Sequence, residues 1–388
     1  MIESVFSVSD DLDPLAGVCK VVDECRKELG ERTAHAGIFF TSCLDTDYSL
    51  MLAEIHDVFP DIELVGCTTD GEITQHLGFS EDSSALMILS APHIRFAASV
   101  AENISADLLT SLEKGYDAAK TKLVVEPTLA LVFPDGMSTM NVPIDALLRS
   151  VMGETLPIFG GSAGDGFQIK QTFQFQGKRV YTDAMPILLM EGELDLTVEI
   201  ATGPIPSGDF YNVDRVEGNV IHGIDGVTAL EFFERFFGPY IEDRELSFFP
   251  LAVYTGERDE FVLRDPVIID RNDGSISFVG RLEEPCRVRI TQVTREDTVN
   301  SGRQGAEKIL SAFHDDKPDL VLIFSCASRK HVLGSRVNEE LSVLLKNKGQ
   351  VPFFGFYCYG EIGPFTIGKP VHFHSDTCIT VAFRSRKS

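Results

Sequence analysis

Basic side chains are scarce in this chain: 34 Lys and Arg stand against 59 Asp and Glu, a formal charge of -25 over 388 residues. Phosphate backbones and anionic lipid surfaces are held by clusters of Lys and Arg, so neither nucleic acid nor an anionic membrane is an expected partner. No run of about 18 apolar residues occurs, and no membrane-spanning helix is expected. The stretch MIESVFSVSDDLD is acidic and lacks the basic-then-apolar order of a signal peptide, which makes a cytoplasmic location the expectation. None of the eight cysteines forms a C-x-x-C pair, so reduced and mostly buried thiols are expected. H-E-x-x-H, P-loop and C-x-x-C-H patterns are all absent, which removes several enzymatic signatures and covalent haem attachment. What is present is an ordinary globular composition, 44% hydrophobic with 32 Gly and 18 Pro, long enough to bury a large core.

The apolar runs repeat. GIFFTS (37–42), LALVFPDG (129–136) and LVLIFSCASR (320–329) read as buried strands, and each precedes a stretch with apolar residues at helical spacing: DTDYSLMLAEIHDVF, NVPIDALLRSVMG and NEELSVLLKNKG. A second strand and a Gly-rich corner follow each helix: LVGCTTDGEI, IFGGSAGDG and FFGFYCYGEIGP. A third apolar run then closes each unit: SALMILSA, MPILLMEG and TCITVAFR. Upstream of the three units lie VFSVSD, RFAASVAE and VRITQVT, each with its own helix-like segment. The expected fold is α/β, layered sheets with flanking helices built from three β-α-β-α-β-β repeats plus a diverged insert over about 205–285. Within the insert, RNDGS predicts a tight hairpin. The Pro and Gly cluster GPIPSG (203–208) marks the expected boundary between domains 1–204 and 205–388.

On these corners the chain resembles the FIST family of prokaryotic sensory proteins. GCTTDGEI (66–73) and GGSAGD (160–165) are similar to the family's N-terminal motifs. EGNVIHGIDG, RDPVIIDRNDGSISFVG, SCASRKHVLGSR, GFYCYGEIGP and FHSDT are similar to its C-terminal region, in the same order. The first corner departs from the family pattern, reading CTTD where CSTA is usual, and His372 accompanies the more family-like His374. The resemblance implies a FIST N-like domain, a FIST C-like domain and a non-enzymatic sensory role with small ligands such as amino acids. It further implies a signalling partner in trans, a histidine kinase or a cyclic-dinucleotide enzyme. One branch of similar stand-alone proteins binds haem and senses nitric oxide, which makes non-covalent haem b the alternative cofactor.

Each corner carries a carboxylate beside a Gly: Glu72, Asp165 and Glu361. If the corners meet at one set of strand ends they line a cleft in which carboxylates take a ligand ammonium; otherwise each caps the N–H groups of its own turn. Arg329 and Arg336 are candidates for a ligand carboxylate or for ion pairs, with Arg329 favoured because it follows a buried strand. Tyr357 and Tyr359 alternate around Cys358, so both rings are expected on one face, as cleft wall or core. Cys67, Cys326 and Cys358 are candidate thiols; a cysteine-dependent hydrolase or transferase would use Cys326 or Cys358, with a base such as His331. His372 and His374, at i and i+2 on a strand, are candidate haem or metal ligands. A scaffold that binds only proteins is the third class of reading.

Overall fold

The structure is a computed structural model, and it describes residues 1–386 apart from 141, 243–245, 247, 255–259, 283, 314–316 and 348–350. The first unit runs Glu3–Ser9, helix Pro14–Leu29, Ala36–Thr41, helix Tyr48–Val58, Glu63–Thr68, a hairpin Glu72–Thr74 with Gly78–Ser80, and Ser84–Ser90. Local chemistry sets the helix ends. Asp13 accepts from the N–H groups of Leu15 and Ala16, Pro14 fixes the first turn and Gly30 follows the last residue. Val18, Val21, Val22, Cys25 and Leu29 turn one face of that helix onto the sheet.

Two further units repeat the order. In the second the strands are Arg95–Glu102, Leu129–Val132, Ile158–Gly161 and Ala184–Glu191, with the hairpin Gln174–Gln176 and Arg179–Tyr181. In the third they are Leu194–Thr202, Leu320–Cys326, Phe353–Cys358 and Thr377–Ser385, with the hairpin Glu361–Pro364 and Val371–His374. Each unit builds a sheet in the order first, last, second, third strand, and each six-stranded sheet is completed by another unit's hairpin. The first unit's hairpin joins the third unit's sheet, the third unit's joins the second, and the second unit's joins the first. Among the described residues, only the second and third strands of a unit run parallel.

The inner faces of the three sheets share one core, in which Phe40, Phe133 and Phe324 come from equivalent places in the three units. Phe356 ties them together, with ring centroids 4.3, 6.1 and 5.8 Å from the three. Helices cover the outer faces over separate apolar clusters. The layered α/β repeat architecture expected from the sequence is therefore present.

The third unit starts elsewhere than the sequence suggests. VRITQVT supplies Arg287–Gln292, which pairs with Ile205–Glu217 and Leu251–Tyr254 in a separate eight-stranded sheet. The leading strand is Leu194–Thr202, which pairs with Thr377–Ser385 along its whole length as Glu3–Ser9 does with Ser84–Ser90. The insert splits this strand from its helix, Arg295–Ala312, and contributes its own core around Phe232, Phe233 and Phe278. The hairpin expected at RNDGS forms between Pro266–Asp270 and Ser275–Phe278, with Gly274 at φ +75°.

Candidate functional site

The three corners meet and interlock. Asp70 N–H donates to Tyr357 O and Tyr357 N–H to Gly71 O, both at 2.9 Å. Gly164 N–H reaches Thr68 O at 3.0 Å, Ser162 N–H donates to Gly360 O at 2.9 Å and Tyr359 N–H to Ser162 O at 3.0 Å. Their carboxylates are turned into this lattice. Glu72, fully buried, accepts from the hydroxyls of Ser42, Thr69 and Ser83; burial pushes its carboxyl up to about 7 against their pull. Asp165 accepts from the N–H groups of Ile169, Lys170 and Gln171 and from Tyr359 Oη at 2.5 Å. Burial opposes ionisation there, but those donors hold it below the usual carboxylate range. Glu361 accepts from Thr377 N–H at 3.1 Å and Thr377 Oγ1 at 2.6 Å; burial pushes it up to about 8 despite both.

Arg329 is 1% exposed. Its guanidinium donates to Glu340, Thr298 O, Ser301 Oγ, Ala201 O and Asp376 O. Tyr357 belongs to the same cluster, its hydroxyl 3.0 Å from Glu340 Oε2 and its ring edge-on to Phe79. Tyr359 lies past the strand's last residue, so the two rings have different neighbours rather than a common wall. Arg336 pairs with Glu296 and Glu339.

Beside the third corner is a cavity of about 480 Å³, within the range of small-molecule sites. The insert's Val220, Val267, Ile268 and Val279 and the second unit's Met140, Phe167 and Ile169 supply its apolar walls. Its polar end is Asp265, Cys326, Ser328, Cys358 and Ser375, with Tyr359 and Gly360 at the corner. Every C-terminal segment singled out in the sequence contributes: Asn219 from EGNVIHGIDG, Asp265 from RDPVIID, Cys326 from SCASRK, Cys358 from GFYCYGEIGP and Ser375 from FHSDT. Glu72, Asp165, Arg329, Tyr357, Glu361 and Cys67 do not line it. Asp265, Ser375 and Asp376 escaped the sequence reading. A carboxylate at an Arg-Asp-Pro junction and a Ser-Asp pair between two strands read as turn residues, and only their position inside the quoted segments hints at a site.

At this end polar atoms are short of partners. Asp265 is 5% exposed and Ser375 1%, yet Ser375 Oγ has no hydrogen-bond partner and Asp265 Oδ1 meets no hydroxyl or N–H donor among the described residues; Asp265 Oδ2 receives a 3.3 Å bond from Ser328 Oγ, and the Asp265 and Asp376 carboxyls lie within hydrogen-bonding reach of each other. Burial raises the Asp265 carboxyl, and the neighbouring Asp376 raises it further. Burial and then Glu361 raise both the Cys326 and Cys358 thiols, the opposite of the depression a thiolate nucleophile requires. Cys326 Sγ donates to Ser328 Oγ at 3.6 Å, while the His331 ring packs 4.2 Å from Phe167.

His372 and His374 lie away from this cavity, their ring centroids 6.1 Å apart and each 5.0 Å from Phe365. His374 Nε2 lies 2.9 Å from Gly363 O, and burial pushes the ring down to about 3. His372 borders a pocket of about 130 Å³, below the ~300–1,000 Å³ of small-molecule sites. A haem takes an apolar slot with an axial imidazole or thiolate. The larger cavity has neutral thiols and no histidine in its lining, and the histidine pair lacks the slot, so the residues at neither place fit one. A third cleft, about 810 Å³ at the opposite strand ends, is lined by charges that pair within the chain, Arg384 and Arg386 with Asp195 and Arg32 with Glu3.

Three cyclically exchanged α/β units carry an inserted sheet that closes a mostly apolar cavity over one corner, and a concave, largely apolar pocket is the usual form of a small-molecule site. The chain belongs to the FIST-domain proteins: the FIST N domain matches residues 35–227 and the FIST C domain residues 229–364. FIST domains are in general small-ligand sensing domains. An uncharacterized protein of Methanocaldococcus jannaschii is 24% identical over 375 residues, 90% of this chain and 70% of the relative. Another, from Mycobacterium tuberculosis, is 24% identical over 379 residues, 94% of this chain and 96% of the relative. Among solved structures, a cyanuric acid hydrolase from A. caulinodans aligns over 100% of both chains at TM-score 0.38 and 7% identity. A chorismatase aligns over 99% of this chain and 98% of its own at 0.34 and 8%. Likeness at that level carries nothing about chemistry. No helix among the described residues is long and apolar enough to cross a membrane.

Proposed function

We propose that this protein is a non-enzymatic sensor whose small ligand occupies the 480 Å³ cavity between the inserted sheet and the third corner. The observation that carries this reading is the pair of buried atoms with no donor or acceptor of their own from the described residues' hydroxyls and N–H groups, Asp265 Oδ1 and Ser375 Oγ, lining a mostly apolar chamber. A buried polar atom left unmatched costs about 1–3 kcal/mol, which a ligand head group recovers. The ligand is a small, mostly apolar molecule with one polar head; apolar amino acids, amines and carboxylic acids all meet that description. A ligand there touches the insert and the repeat core at once. Its binding energy therefore bears on how the two pack, and a separate kinase or cyclase reading that surface in trans completes the sensor.

Calorimetry against a panel of such molecules tests the reading. A saturable ligand is expected, recovered chemically unchanged after prolonged incubation. Ile268→Trp, which fills the cavity from a residue 62% exposed, is expected to weaken it at least tenfold with an unchanged melting temperature. An absence of any saturable ligand, turnover of the bound one, or a haem chromophore in the purified chain would each overturn it.

A further inference from the structure

Three ligating side chains converge at the polar end of the cavity: the Asp265 and Asp376 carboxyls and the Cys326 thiol each present an atom within 4.8 Å of the other two. All three are buried, at 5%, 4% and 4% exposure. They come from three separate places in the chain, the residue before Pro266–Asp270, the turn before Thr377–Ser385 and the end of Leu320–Cys326, so the group is assembled only by the fold. Asp376 sits at φ +53°, a left-handed conformation that Asp tolerates. Arg329, whose charge opposes the burial-driven rise of the Asp376 carboxyl, gives its fork to Glu340 and reaches Asp376 through the main-chain oxygen, at 3.3 Å. Among the described residues, no ion pair reaches either carboxyl, so two carboxyls and a thiol share a buried site.

We infer that Asp265, Asp376 and Cys326 form a site for one divalent cation of the borderline class, zinc being the best match. The donor set argues for that class: magnesium and calcium take oxygen ligands alone, whereas a thiolate beside carboxylates suits zinc. Bonds of about 2.0–2.3 Å in a tetrahedron put ligand atoms roughly 3.5 Å apart, so small side-chain rotations draw the present group together. A residue outside the three points the same way. Ser375 Oγ, more than nine-tenths buried, lines the cavity at this end without a hydrogen-bond partner. Three protein ligands leave a fourth position, and because Asp265 and Cys326 line the cavity that position opens into it. The inference stands apart from the sensor reading: Ile268→Trp leaves the metal ligands intact, and metal binding is measured without any organic ligand.

The full chain, purified in chelator-free buffer and reloaded with zinc alone, is expected to retain one zinc per chain through desalting. Cobalt in its place is expected to give a thiolate-to-metal charge-transfer band. Cys326→Ser is expected to abolish that band and weaken zinc at least a hundredfold in competition with a chromophoric chelator, and Asp376→Asn to weaken zinc at least tenfold. If the variants fail to fold, the cobalt spectrum of the unaltered chain decides. A chain that binds no stoichiometric zinc and shows no thiolate band at saturating cobalt, or variants that hold zinc as tightly as the parent, would overturn the inference. The two carboxyls would then be an acid pair sharing a proton.

Discussion

The corner carboxylates show how burial changes the meaning of a charged residue. Glu72 lies at 0% exposure among three hydroxyls, and burial pushes its carboxyl up to about 7 from an ordinary 4.5. The native state therefore binds the proton more tightly than the unfolded chain does. The stabilisation from the protonated acid is complete below about pH 4.5 and is lost as pH rises through about 7, at most about 3 kcal/mol. Glu361, pushed up to about 8, adds to the trend in the same direction. Glu72→Gln keeps the shape and cannot ionise, so its melting temperature should fall less between pH 5 and pH 8 than that of the parent. Parallel profiles would show that Glu72 is ionised in the folded protein throughout. Arg329 and Glu340, each 1% exposed at the side chain, are a buried pair whose disruption is costly. Glu340→Ala should lower stability by about 3–5 kcal/mol in chemical denaturation; a loss below 1 kcal/mol would mean that other acceptors satisfy the guanidinium.

Among the elements, the third strand of each unit carries the same device. A Cβ on Gly66 would lie 1.8 Å from Phe39 O, on Gly160 1.8 Å from Val132 O, and on Gly355 1.9 Å from Ile323 O. Each glycine is the register partner of that residue in the parallel second strand. The obstacle is backbone, which cannot rotate aside, so Gly355→Ala should cost about 3 kcal/mol or more, the upper end of overpacking. Gly177→Ala, in a hairpin turn at φ +57° with nothing within 4 Å, should cost only the left-handed conformation, about 1–2 kcal/mol. Equal denaturation midpoints for the two variants would contradict this account. The glycines opening GCTTDGEI and GFYCYGEI were visible as a repeat, but the following hairpins were not. Three- and four-residue strands such as Glu72–Thr74 and Glu361–Pro364 are too short to show a period, and each pairs with a strand of another unit.

For the molecule as a whole, the exchange of hairpins makes the units mutually dependent. Division near residue 204 separates Leu194–Thr202 from Thr377–Ser385 and removes Glu72–Thr74 from the edge of Phe353–Cys358. Fragments 1–204 and 205–388 should each aggregate when expressed alone, because sheet edges and the shared phenylalanine core are laid open, and should form a soluble complex when co-expressed. Soluble, monomeric fragments with native-like spectra would show that the core closes within each half.

By itself the sequence determined the longer strands and helices and the threefold repetition, though neither the short hairpins nor the first strand of the third unit. Strand and helix periods, capping Asp residues and paired glycines act over a few residues, so they can be read wherever they occur. It likewise set the expectation of a ligand-binding rather than a polyanion-binding protein, since net charge is a sum independent of fold. The order of strands, the exchange of hairpins and the position of the insert depend on contacts far apart in the chain. So does the site: Glu72, Asp165, Glu361 and Arg329 offer ligand chemistry as isolated letters, yet the tertiary structure surrounds them with their own donors and acceptors. Asp265, Cys326, Ser375 and Asp376 become neighbours only when the inserted sheet closes over the third corner, because burial and the satisfaction of polar groups are properties of packing rather than of sequence position.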